Sequence, residues 1–293
     1  MKRKNKQGIF QIGFLHNIKL IWQKATLWQR ILTGFFFFCV VIGAVGFLIS
    51  GCTKDEEESK IKIIDSTNIE QPEAQKETPQ KEVATPDPTQ QIYTFLQGPK
   101  SWGRRIKWSG EWGVTFYDGG SFGGFGCGLC CIANIYSSLS EYQCTPVDAY
   151  HFAKKHTAYG GGGAIDWGYM KSALEQMGFS CALGTKTSSY AEFQKLVASG
   201  QCGIMLVSSN NSKCYWKDTP GHYVTIFLYN EQTDKVFLAD SGDPEHNRQW
   251  ISLKKIYKSL KTASHYQYLL VNRYDKNKNT WKHKKANGNW VKE

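Results

Sequence analysis

Apolar positions recur at helical spacing in several stretches. Cys131, Ile132, Ile135 and Leu139 predict a helix over residues 128–139 that buries one stripe. Thr145-Pro146 is an N-cap and first-turn pair opening a second helix through about Lys155. Asp166 caps a third, with Met170, Leu174 and Met177 on one side and Gly178 as its stop. Ser188 or Ser189 caps a fourth, with Phe193, Leu196 and Val197 inward, and Ser252 a fifth, with Leu253, Ile256, Tyr257 and Leu260. Elsewhere short apolar or alternating runs predict strands at 179–183, 202–207, 222–229, 235–240 and 266–272, and the turn-prone 230–234 joins two of them in a hairpin with Tyr229 opposite Lys235. Upstream, residues 102–117 interleave Trp102, Trp108, Trp112, Phe116 and Tyr117 with Gly and Arg, a pattern of turns and short strands that either flanks a cleft or packs in the core. With helices first and strands concentrated later, the fold class is α+β, N-terminal helices packed on an antiparallel sheet.

The N-terminal part changes the picture. Residues 31–50 are an uncharged apolar run of twenty, long enough to span a bilayer. Seven Lys or Arg and no acid precede it, and Asp55, Glu56, Glu57 and Glu58 follow, which orients residues 1–30 toward the cytoplasm and everything downstream outside. The run ends in Ile49-Ser50-Gly51-Cys52, which resembles a lipobox of bacterial lipoproteins and makes Cys52 a lipidation candidate. The span is then either retained as a single-pass anchor or removed on acylation, and both leave the rest extracellular at the cell membrane. Residues 53–91, with ten acids, five Lys, four Pro and no aromatic side chain, predict a disordered linker reaching on the order of 35 Å. The expected order is a basic segment (1–30), the span with Cys52 (31–52), the linker (53–91), a folded domain (92–272) and a basic tail (273–293). Of the formal +11, +9 lies beyond the linker, a balance that suits an anionic membrane surface or anionic cell-wall polymers. No nucleic-acid module is recognisable, and an extracytoplasmic position argues against a nucleic-acid partner.

The candidate chemistry gathers around Cys127, where a glycine-rich run meets the first helix. Unpaired N–H groups and the helix dipole favour an anion there, so a thiol tends toward thiolate. A capped core helix holding three cysteines reads the same stretch equally well. The hairpin register puts Asp240 opposite Val224 and one diagonal from His222, with both side chains on the face carrying Val224, Ile226, Leu228, Val236 and Leu238. A carboxylate there can hold one imidazole nitrogen while the other serves a cysteine. Asp243 lies beyond the strand with the wrong parity and is the second candidate for that carboxylate. The seven cysteines past the linker suggest up to three disulfides drawn from Cys130, Cys131, Cys144, Cys181, Cys202 and Cys214, with Cys127 free; buried thiols are the competing expectation. Cys127-x-x-Cys130 has no second ligand pair, and the glycines at 160–163 precede no GK[ST], so neither metal nor phosphate-bearing cofactor is expected.

Taken together, Gln97, then Gly126-Cys127-Gly128 at a helix start, then Gly221-His222-Tyr223-Val224, then Leu238-Ala239-Asp240, resemble the bacteriocin-processing cysteine peptidases of family C39 and their C39-like relatives, over about residues 92–271. The resemblance implies a papain-like fold, with Cys127 as nucleophile, His222 as base, Asp240 as its orienting carboxylate and Gln97 as oxyanion donor. It also implies acyl transfer on a peptide or cell-wall peptide through an acyl-enzyme, with no cofactor. Two other expectations stay open. One is a peptidoglycan amidase or endopeptidase on a related fold; the other is a catalytically inactive surface-binding module with Cys127 held in a disulfide.

Overall fold

The computed structural model describes residues 86–102, 104–209, 214–284 and 290–291. The predicted span, Cys52 and the linker up to residue 85 lie outside them. Among the described residues no helix is long and apolar enough to cross a membrane. In chain order these residues form α1 (Pro99–Trp102), β1 (Ser109–Gly110), β2 (Phe116–Tyr117), β3 (Gly120–Ser121), α2 (Phe122–Phe125), α3 (Cys127–Leu139), α4 (Pro146–His156) and α5 (Trp167–Gln176). Then come β4 (Met177–Gly184), α6 (Tyr190–Ala198), β5 (Cys202–Val207), β6 (His222–Asn230), β7 (Lys235–Ala239), β8 (Gln249–Ser252), α7 (Leu253–Ser259), β9 (Tyr268–Asn279) and β10 (Trp290–Val291).

The helices start where side chains can take up their first amides. Thr145 Oγ1 accepts from Asp148 N at 3.1 Å while Asp148 Oδ2 accepts from Thr145 N at 2.8 Å, a complete capping box for α4. Ser189 caps α6 through Glu192 N and Ser252 caps α7 through Lys254 N, each at 3.2 Å. Asp166 holds the N-cap position of α5 without a capping hydrogen bond from its side chain.

A six-stranded sheet in the order β4-β9-β5-β6-β7-β8, antiparallel throughout, forms the centre, in keeping with the α+β class. Both faces of the sheet are covered by helices. Tyr223, Phe227 and Phe237 join Leu129, Ile132 and Ile135 of α3 in one core cluster. Val224, Ile226, Val236 and Leu238 join Phe193 of α6 and Ile256 of α7 in the other. The reason is compositional: β6 is apolar at odd and even positions alike, so neither face can be left to water.

Three expectations are corrected. In the hairpin, Thr225 faces Ala239 and Phe227 faces Phe237, but Asn230 rather than Tyr229 faces Lys235. A bulge between Phe227 and Asn230, with Leu228 at φ 50°, absorbs the extra residue. Leu228 consequently packs with the α3 cluster and not with Val224, while the register at the other end of the hairpin is untouched. The linker boundary at 91 also moves. Asp87 caps a 3-10 turn at Pro88–Gln91, and the Arg248 guanidinium donates to Thr89 O at 3.0 Å and Ile92 O at 2.8 Å. Finally, the boundary at 272 falls inside β9, and Trp281 and Trp290 pack against the core, with β10 pairing to β1. The described residues 273–284 and 290–291 are therefore built into the domain, because Tyr274, Trp281 and Trp290 find partners in the core.

Of the Trp-rich segment, Trp108 and Trp112 are buried and the Trp112 indole donates to Leu96 O at 2.6 Å, whereas Trp102 is exposed. Core packing claims the first two.

Candidate active site

Cys127 is the first residue of α3, directly after the short helix α2 and Gly126, which ends the one helix and starts the other. A Cβ on Gly128 would stand 2.6 Å from Ile165 Cγ2 and 3.1 Å from Met170 Sδ, so only glycine lets this helix tip come so close to its neighbours. Burial by itself pushes the Cys127 thiol up. The hydrogen bond and charge of His222, with the backbone N–H groups of Tyr223 and Gly128, outweigh it and hold the thiol below its ordinary range.

His222 is the first residue of β6, and Asp240 directly follows β7. The register set by Thr225 opposite Ala239 brings the two together, His222 Nε2 lying 2.7 Å from Asp240 Oδ1. With Nε2 engaged by the carboxylate, Nδ1 is the ring nitrogen left for Cys127. Burial would lower the His222 pKa, but hydrogen bonds to Asp240 and Cys127 and their negative charges raise it to about 10. Asp240 is 1% exposed. Burial pushes its carboxyl up, and the hydrogen bond and charge of His222, the nearby His246 ring and the hydrogen bond from the Trp216 indole more than reverse this, leaving it below the usual carboxylate range.

Every close partner of that carboxylate is a donor. Trp216 Nε1 reaches Oδ2 at 2.7 Å, and the backbone N–H groups of Gly242 and Asp243 reach Oδ1 at 3.0 and 3.2 Å. Asp240 N in turn donates to Asn247 Oδ1 at 3.1 Å. Asp243, the second candidate, offers only its backbone here; its own carboxylate lies 3.5 Å from His246 Nδ1. His246 stacks on Tyr215 with ring centroids 4.3 Å apart and stands 3.6 Å from Asp240 Oδ2, an ion-pair distance too long for a hydrogen bond. Trp216, His246 and Asn247 escaped the sequence reading because they sit on loops, where no periodicity marks an inward side chain.

Gln97 approaches from the N-terminal segment. Its backbone N donates to Ser241 O at 2.8 Å, its Nε2 to Gly123 O at 2.9 Å, and its Oε1 accepts from Ser241 Oγ at 2.6 Å. A Cβ on Gly113 would fall 2.3 Å from Gln97 O, so a bare backbone is needed where this segment docks. A cleft of about 830 Å³ lined by Lys100, Gly124, Trp216, Lys217, His222 and Asp243 adjoins a recess of about 260 Å³ lined by Gln97, Ser101, Gly123 and Ser241. Lys100 and Gly242 belong to both.

The expected disulfides are not formed: Cys127, Cys130, Cys131, Cys144, Cys181 and Cys202 are thiols. Burial pushes Cys130, Cys131, Cys144 and Cys202 well above the usual thiol range, so these stay protonated and inert. Among the described residues no group of three or more His, Cys, Asp or Glu side chains is placed to hold a metal ion.

The opposite shifts of Cys127 and His222 define a window for the thiolate–imidazolium pair. It opens on the acid side below the usual thiol pKa of 9.0 and closes at about pH 10, where His222 loses its proton. The rate of Cys127 alkylation by iodoacetamide is expected to rise at a pH below the usual thiol pKa of 9.0 and to change again near pH 10. A single transition near the ordinary thiol pKa would show that no such pair exists.

A family model described as "Peptidase_C39 like family" matches residues 117–276, more than half of the chain. The matched stretch holds Cys127, His222 and Asp240 and leaves out Gln97. No curated protein matches the chain.

Proposed function

Because this chain belongs to the peptidase C39-like family, we propose that its folded domain is a papain-type cysteine peptidase acting through Cys127, His222, Asp240 and Gln97. The Cys127 thiolate attacks the carbonyl carbon of a peptide bond. The oxyanion that forms takes hydrogen bonds from Cys127 N–H and the second Nε2 hydrogen of Gln97, the first being engaged by Gly123 O. His222 Nδ1 then gives its proton to the departing amine, leaving a thioester on Cys127. Water enters, neutral His222 takes one of its protons, and hydrolysis returns the thiolate and imidazolium. Asp240 keeps the ring in one orientation throughout. The observation that carries this is a helix-tip thiol held below its ordinary pKa by a histidine whose far nitrogen is anchored 2.7 Å from a buried carboxylate.

Incubation with a peptide library and with purified peptidoglycan, products read by mass against a Cys127→Ala control, tests the proposal. Thiol-dependent cleavage in the library supports it. Products from peptidoglycan alone would shift the assignment to a cell-wall amidase or endopeptidase. No product from either, with Cys127 refractory to alkylation, would leave an inactive binding module.

The site's setting follows from the N-terminal sequence. We propose that the domain works outside the cell, held at the membrane by the 31–50 run or by a lipid on Cys52, where its basic surface can meet anionic cell-wall polymers. Protease shaving of intact cells is expected to release a fragment beginning between residues 53 and 86. A domain that survives shaving but is degraded after lysis would reverse the orientation.

A further inference from the structure

We propose that Ser241 is a positioning residue that fixes the orientation of the Gln97 amide, keeping one Nε2 hydrogen directed at the oxyanion; this rests on the peptidase function proposed above. Gln97 and Ser241 are 7% and 2% exposed, so neither can rely on water for a partner. A side-chain amide has two orientations that exchange a donor for an acceptor. The Gly123 carbonyl can only accept and so selects the orientation that turns Nε2 toward it, and the Ser241 hydroxyl, 2.6 Å from Oε1, ties down the oxygen end. In that orientation Nε2 meets Gly123 O at 2.9 Å with one hydrogen and retains the other. The main chain braces the same contact, Gln97 N donating to Ser241 O at 2.8 Å.

Ser241 directly follows Asp240, so one short segment reaches both the carboxylate that holds His222 and the Gln97 amide. Without the hydroxyl, Oε1 is a buried acceptor with no donor and the amide is held from the Gly123 side alone, free to swing.

The test compares full-length wild type with Ser241→Ala, Gln97→Ala and the double variant. Ser241→Ala is expected to lower kcat about tenfold with little change in KM and to weaken inhibition by a peptide aldehyde by the same factor. Gln97→Ala is expected to cost about 10²- to 10³-fold in kcat, and adding Ser241→Ala to it should change almost nothing, because one acts through the other. Iodoacetamide alkylation of Cys127 forms no oxyanion, so its rate should be that of wild type in every variant. Losses that multiply in the double variant, or an alkylation rate falling in step with kcat, would overturn the positioning role. A readout without turnover is the Gln97 side-chain amide pair in ¹⁵N NMR, assigned by its disappearance in Gln97→Ala. Two distinct, narrow signals in wild type should broaden or merge in Ser241→Ala, and unchanged signals would refute the proposal. If wild type cleaves no substrate, the peptidase assignment fails by itself, and the amide signals still decide what Ser241 does.

Discussion

Cys127→Ala is expected to abolish turnover, by on the order of 10⁵- to 10⁶-fold, while the fold persists. The thiol sits at a helix tip with 8% exposure, and its loss removes one small group, so destabilisation should stay at about 1 kcal/mol. His222→Ala should match the loss in activity for a different reason. Without the imidazolium, only burial and two backbone amides act on the thiol, so its pKa rises, less of it is thiolate, and no acid remains for the leaving amine. Circular dichroism and thermal melting separate loss of chemistry from loss of fold. Wild-type turnover in folded Cys127→Ala would end the proposed mechanism.

Asp240→Asn is expected to lose less activity, about 10³-fold, and more stability than either. The carboxylate is surrounded by donors, namely His222 Nε2, Trp216 Nε1 and the amides of Gly242 and Asp243. An amide in its place must turn its NH₂ toward one of them, leaving two donors face to face at a cost of about 1 to 3 kcal/mol. The pH dependence has a definite sign. Asp240 titrates below its ordinary 3.8 in the folded state, so its contribution is fully present above about pH 4 and is lost as the pH falls below it. His222 titrates above its ordinary 6.5, so its share is fully present below that value and fades as the pH rises through about 10. Urea unfolding across this range should give a shallower acid limb for Asp240→Asn than for wild type. Identical stability and activity in the two proteins would remove Asp240 from the account.

Local signals in the sequence found local structure. Thr145, Ser189 and Ser252 announce their helices because a cap is a contact between residues two or three apart, and the residues of β5 are a run that nothing interrupts. The meeting of His222 and Asp240 was legible because hairpin register follows from alternation, and the bulge at Leu228 happens to lie at the far end. What alternation cannot encode is the path of loops. Ser241, His246 and Asn247 come in on the segment after Asp240, and Trp216 on the one before His222, so their partners are fixed only when the sheet is assembled. The boundaries failed for a related reason. Acidic, proline-rich composition marks residues 53–91 as linker, but a single distant side chain, Arg248, is enough to fix Thr89. In the same way charge marks the C-terminal residues as tail while Trp281 and Trp290 bind them to the core.

The oxyanion side of the site is held by contacts spanning most of the domain's sequence: Ser241 to Gln97 across 144 positions, Asn247 to Thr94 across 153, Arg248 to Thr89 across 159. Closing loops of that size carries the larger entropic cost, so the segment from 87 to 97 is the part whose release needs the fewest broken bonds between neighbours in sequence. Cys127, His222 and Asp240 do not depend on that segment for their mutual contacts. On the proposed mechanism, a preparation nicked or frayed there is expected to contain molecules that react with an alkylating reagent as readily as intact ones yet turn over peptide slowly. Active-site titration with such a reagent would count them as enzyme, and specific activities normalised to it would vary between preparations with the integrity of the first dozen folded residues.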